Sequence, residues 1–230
     1  MKYLLVVAAS MFVVSAAIGL AQDEAPVDTA AGSEASDPTP TAVARPEPGT
    51  VLLSDNFDDP TMASLPRGPV NPNIVSQRYI DGEYEIGIGP TVAEIGVPVP
   101  GTYIDSAIAV SAKVFGGSEQ RGIVLACRRQ DQPEGAYRLV VRPGQQHFLL
   151  QRNDGGAIVN LTDQGSGVIR AGDAWNRIEL ACVGNTISAT INGTELGAVQ
   201  DTTYSLGRHH MNVAGTGATA RFDDLVVTQR

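Results

Sequence analysis

The sequence predicts an all-β protein built as two antiparallel sheets packed face to face. Three observations carry that reading. Short apolar runs alternate with polar residues at period two. They are punctuated by 25 Gly and 14 Pro among 230 residues. No stretch keeps apolar residues at i, i+3, i+4 and i+7 for three turns without a Gly, Pro or Asn-Gly break. Sixteen Lys plus Arg stand against twenty-five Asp plus Glu, a formal charge of −9. Such a chain has no general attraction for phosphate backbones or anionic lipid, which argues against nucleic-acid partners.

Met1-Lys2 supplies one positive charge, and Leu4 to Leu20 follows with none. Gly19 and Ala21 are small residues at the two positions a signal peptidase reads. Residues 1–21 are therefore expected to form a signal peptide cleaved after Ala21. A retained anchor is the alternative, because the run is nearly long enough to span a bilayer. No Cys lies near the boundary, so a lipid anchor on cysteine is excluded. Export implies a secreted or extracytoplasmic location, in a periplasm or on a cell surface, with no membrane partner beyond the cleaved segment.

Residues 22–50 hold five Pro, six acids and one Arg, with Val27 and Val43 as the large apolar side chains. Two valines offset little of the entropy of ordering such a segment, so 22–50 reads as a disordered Pro/Ala/acidic linker.

From Val51 to Arg230 the pattern is that of one domain with about a dozen strands. Ile104, Ile108, Val110, Ala112 and Val114 share one parity. Ile123, Leu125 and Cys127 alternate with Val124, Ala126 and Arg128. Tyr137, Leu139 and Val141 alternate with Arg138 and Arg142, and Phe148 and Leu150 with His147 and Gln151. Ile178, Leu180 and Cys182 lead into Ile187, Ala189 and Ile191. Asn192-Gly193 then marks a two-residue hairpin, because both residues tolerate the positive φ that matches strand twist. Leu52–Phe57 and Arg221–Val227 are expected to pair, bringing the two chain ends together. The segments 60–78 and 90–103 are too irregular to place.

Several of these features resemble the concanavalin A-like lectin/glucanase superfamily, in its laminin-G-like bacterial extracellular form. They are Gly82-Glu83-Tyr84, Gly122 followed by Cys127-Arg128, Tyr137, the run Gly172 to Asn185, Asn192-Gly193, Asp201 and Phe222-Asp223-Asp224. The match spans about 51–230. It is similar to domains following membrane-anchored bacterial kinases and, more distantly, to disaccharide-hydrolase domains. The resemblance implies a two-sheet jelly roll and is weak for activity, since one fold hosts many functions.

Glucanases of this fold carry Glu-x-Asp-x-Glu along one strand, whose alternate carboxylates face the substrate. Glu83-Tyr84-Glu85 is the nearest approach, but the third position is Gly87 and the motif is absent. The pair is expected to face solvent on an edge strand. His147, His209 and His210 have no Gly-x-Ser-x-Gly partner, and adjacent His209 and His210 should leave a strand on opposite faces. No catalytic residue and no metal site is expected. The resemblance allows a calcium ion, for which Asp58, Asp59, Asp154, Asp201 and Asp223-Asp224 are candidates, but no local string supports it.

Cys127 and Cys182 share parity with core positions. In an exported domain such a pair is expected to be bridged, the alternative being two buried thiols. The bridge would enclose 54 residues and contribute roughly 3–4 kcal/mol in the chain-entropy model. By the same parity Arg128, Arg138, Arg142, His147 and Gln151 leave through the face opposite the core. There they would form a local positive site for acidic glycans. Trp175 is expected as a packing anchor rather than a stacking platform. The reading is a non-catalytic binding module with a glycan as ligand and no cofactor. A structural or adhesive ectodomain that binds another protein is the alternative, and a glycoside hydrolase is third. The sequence gives neither the ligand nor the oligomeric state.

Overall fold

A computed structural model describes residues 45–68, 71 and 74–230. The expected signal segment and residues 22–44 of the expected linker lie outside the described residues. Ala44–Arg230 forms one compact unit, and its described residues hold fourteen strands in two antiparallel sheets.

The eight-stranded sheet contains β1 (Val51–Asp55), β2 (Val75–Ile80), β3 (Glu83–Ile88), β5 (Ser106–Gly116), β10 (Asn176–Val183), β11 (Thr186–Ile191), β12 (Thr194–Gln200) and β14 (Ala218–Gln229). Its order is β12-β11-β10-β5-β14-β3-β2. β1 lies on the same side of β14 as β3, further along that strand. Leu53 pairs with Val227 and Asp55 with Leu225, so the two chain ends meet as expected. A bulge between Asp223 and Val226, with Asp224 at φ 52, marks where β14 changes neighbour from β3 to β1.

The six-stranded sheet contains β4 (Glu94–Tyr103), β6 (Gly122–Asp131), β7 (Glu134–Arg142), β8 (His147–Asp154), β9 (Ala157–Gly165) and β13 (Gly207–Ala214), in the order β4-β13-β6-β7-β8-β9. β4 holds Pro98 and Pro100. It is an edge strand, where a residue without an N–H removes no ladder bond needed inside the sheet.

The period-two residues close on each other between the sheets. Ile108, Val110, Ile123, Leu125, Tyr137, Leu139, Phe148, Ile178, Ile187 and Phe222 are all buried. Ile104 leaves its expected series and lies exposed in the turn between β4 and β5. Asn192 and Gly193, at φ 50 and 81, turn β11 into β12 as the hairpin signal required. Cys127 on β6 is bonded to Cys182 on β10, with Cα atoms 6.6 Å apart, so the disulfide joins the two sheets.

Residues 45–50, placed in the linker by composition, lie against the sandwich. Arg45 pairs with Asp105 at 2.6 Å, and the Gly49 N–H donates to the Gln229 carbonyl at 2.8 Å.

Candidate functional site

The register of the six-stranded sheet sets three rows of side chains on the face turned away from the core. The middle row runs Gly96, Asn212, Val124, Val140, Leu149, Asp163 across all six strands. Beside it run Pro98, His210, Ala126, Arg138, Gln151 and Asn160. On the other side Glu94, Ala214 and Gly122 lead towards the Arg142–His147 pair. Val124, Val140 and Leu149 form a small apolar cluster, buried although they lie outside the core. Polar neighbours shield this aliphatic floor and surround it with hydrogen-bonding groups.

Glu94 organises one end of that polar rim. Its carboxylate accepts from Arg138 Nη2 at 2.5 Å and from Asn212 Nδ2 at 2.7 Å. Gly96 provides the room for this, because a Cβ there would lie 1.9 Å from Asn212 Oδ1. At the other end Gln151 donates to Asn160 Oδ1 at 2.9 Å, and His147 Nε2 stands 2.8 Å from Asp163 Oδ1.

Four buried polar atoms on this face have no hydrogen-bond partner: Asn212 Oδ1, His210 Nε2, Arg129 Nε and His147 Nδ1. The first three belong to residues that, with Glu94 and Gly96, line one cavity of about 260 Å³. Burial pushes the His210 imidazole down to about 4, helped by the positive charges of Arg129 and Arg208. It is therefore neutral at pH 7, a hydrogen-bonding group rather than a cation. Buried polar groups are normally satisfied, so this cluster of atoms without partners sets the six-stranded sheet's outer face apart.

Of the five residues expected on this face, Arg138, Arg142, His147 and Gln151 are there. Arg128 is not. β6 bulges between Cys127 and Gln130, and Arg128 takes φ 53, which reverses the parity at that residue. Its side chain, 3% exposed, turns inward and donates to the carbonyls of Ile104 and Tyr204 and to Asp105 Oδ1 at 3.0–3.2 Å. Arg129 stands opposite Arg208 on the neighbouring strand instead. The expected positive site is corrected accordingly. One guanidinium is buried, the Arg138 charge is met by Glu94, and Arg142 is left.

The parity of β13 could have supplied His210 and Asn212, which alternate with the buried His209, Met211 and Val213. Glu94 fell in a segment that no pattern could place. His209 does take the opposite face from His210, against the Tyr103 ring at 4.7 Å and 2.9 Å from Ser106 Oγ.

Glu83 and Glu85 are on the outer face of the eight-stranded sheet but are not the solvent-facing edge pair expected: Glu85 is buried, and β3 is flanked by β14 and β2. Arg221 bonds both carboxylates, at 2.8 and 2.6 Å. Lys113 reaches Glu83 at 3.0 Å and Arg78 reaches Glu85 at 2.7 Å. Burial alone would raise the Glu83 carboxyl; the hydrogen bonds from Lys113 and Arg221 outweigh it and hold the group below its usual range. Trp175 is half-buried on this same side, with Lys113 Nζ 4.3 Å from the ring centre. Five of the calcium candidates are already engaged: Asp201 accepts from Tyr137 and Arg152, Asp154 from Arg152 and Tyr204, Asp58 from Asn56, Asp59 from Thr61, and Asp223 from the Asp224 N–H. Among the described residues no group of three or more His, Cys, Asp or Glu is placed to hold a metal ion.

No protein-family model matches the sequence, and no curated protein does. Solved structures do resemble it. A carbohydrate-binding module from Bacillus subtilis superposes with a TM-score of 0.56 at 14% identity, covering 68% of this chain and 92% of its own. A Bacillus subtilis protein of unknown function with a galectin-like fold gives 0.60 at 13%, over 80% and 97%. A β-1,3-1,4-glucanase derived from a mouse hindgut metagenome gives 0.55 at 10%, over 77% and 98%. Identities this low speak for the fold alone, and the chain has the galectin-like, concanavalin A-like jelly-roll fold that these binding modules and hydrolases share.

Proposed function

We propose that this protein is a secreted or surface-exposed, non-catalytic glycan-binding module, and that it binds through the outer face of its six-stranded sheet. The observation that carries this reading is the cavity where Asn212 Oδ1, His210 Nε2 and Arg129 Nε are buried without partners. A sugar hydroxyl both donates and accepts, so it can satisfy a carbonyl oxygen and a guanidinium N–H together. The similar carbohydrate-binding module supports the ligand class, and the buried disulfide suits an oxidising compartment.

Hydrolases share the fold, and hydrolysis needs two carboxyl groups, one of them a proton donor. On this face Glu94 is tied to Arg138 and Asp163 faces His147, which favours binding over catalysis. A glycan array probed with the mature chain tests the proposal. Retention of at least one neutral oligosaccharide is expected, weakened tenfold or more by Asn212→Ala. In parallel, a reducing-sugar assay on the retained glycan should show no release. Failure to retain any glycan would leave the adhesive, protein-binding reading in its place, and release of reducing ends would make the protein a hydrolase.

A further inference from the structure

We infer that Arg142 forms a second subsite at the end of the same face, one that accepts an anionic substituent of the glycan, carboxylate or sulfate. The inference rests on the glycan-binding reading. Arg142 is half-buried at the end of β7, over Gly122, where an added Cβ would stand 3.4 Å from Arg142 Cγ. Arg129, Arg138 and Arg208 on this face are each paired with an acid, respectively Glu134, Glu94 and Asp131. The Arg142 guanidinium has no hydrogen-bond or ion-pair partner among the described residues.

It lines a cavity of about 380 Å³ together with Ser118, Gln120 and Thr216, and no carboxylate takes part in the lining. The cavity at His210 differs in this respect, since Glu94 forms part of its wall and disfavours an anion. A planar guanidinium donates two parallel hydrogen bonds to a carboxylate or sulfate, and the hydroxyls and amide beside it can complete the anion's shell. The wall of the Arg142 cavity also holds Ala93 and Gly215, next in sequence to Glu94 and Ala214, so the cavity adjoins the one at His210 along the same face. Neighbouring units of one oligosaccharide can therefore occupy both subsites. On this arrangement the neutral cavity holds the chain of sugars and Arg142 selects for charge.

The experiment compares three matched probes by titration calorimetry on the full mature chain. They are a glucuronate-containing oligosaccharide, its carboxyl-reduced neutral form, and the neutral form after sulfation. The expected result is about a tenfold preference for one or both anionic probes, which added salt reduces. Arg142→Gln should abolish that preference and leave affinity for the neutral probe unchanged, which also reports that the variant is folded. Which anion is preferred separates the carboxylate from the sulfate. A wild-type protein that ranks all three equally, or a preference that survives in Arg142→Gln, overturns the inference while the glycan reading stands. Failure of all three probes to bind overturns both.

Discussion

The two sheets present outer faces of opposite kind. On the eight-stranded sheet, Arg78 on β2, Glu83 and Glu85 on β3, Arg221 on β14 and Lys113 on β5 form a chain of opposite charges, pairing on neighbouring strands except where Lys113 reaches Glu83 across β14. On the six-stranded sheet Arg129, Arg138 and Arg208 are also paired, but Arg142 is not, and buried polar atoms remain without partners around an aliphatic floor. Cross-strand ion pairs of alternating sign satisfy themselves and leave little to recognise. Unsatisfied donors and acceptors cost stability unless something binds them. The first face is finished by folding, whereas the second keeps unsatisfied groups that the proposed glycan would meet.

The largest expected effect separates two arginines one strand apart. Arg128→Ala should destabilise the domain by about 3–5 kcal/mol, because it strips a buried guanidinium from Asp105 and two carbonyls. Arg138→Ala should cost about 1 kcal/mol or less, since Glu94 stays within reach of water. Urea denaturation of the two variants checks this. Equal losses would mean that Arg128 is not the inward-facing member.

Acidification should act on the sheets in sequence. Burial pushes His209 down to about 4. A histidine whose folded pKa lies below its unfolded value near 6.5 contributes its full stability above about pH 6.5. It loses that contribution as pH falls towards 4, on the order of 3 kcal/mol, because the unfolded chain takes up a proton that the folded one refuses. Glu83, held below its usual range, contributes above its ordinary pKa and loses this only as pH falls through its lower folded value. Urea midpoints between pH 7 and 3 should therefore fall first through the histidine window. His210, pushed down to about 4 in the same way, contributes over the same window, so His209→Asn should reduce that first fall by about half and leave the second.

A smaller effect concerns the ion-pair ladder. Arg221→Ala leaves Glu83 with Lys113 and Glu85 with Arg78, so a loss of about 2 kcal/mol is expected. Glycan affinity should not change. A drop in affinity without a drop in stability would place the ligand on the wrong face.

These contrasts also show what the sequence could reveal. Strict alternation exposed nearly every core position, because in a sandwich each strand has one face that must be buried. The same alternation placed Arg138, Arg142, His147 and Gln151 correctly. It failed at Arg128, where a bulge shifted the register by one residue, and no local residue type announces that. It also failed over 90–103, where Pro98 and Pro100 obscure β4. The prolines fit because the strand is an edge, and an edge position is a property of the assembled sheet rather than of the segment. Glu94 was hidden for that reason, and with it the anchor of Arg138 and Asn212.

The central claim is that the ligand face belongs to the six-stranded sheet. Side-chain and backbone NMR titration of the isotope-labelled chain with a neutral oligosaccharide retained on the array tests it most directly. The account predicts that shifts concentrate on Asn212, His210, Arg129, Arg138 and Glu94, while Glu83, Arg221, Lys113 and Trp175 stay in place. Shifts gathered on Trp175 and Lys113, with the Asn212 and His210 signals unmoved, would contradict it.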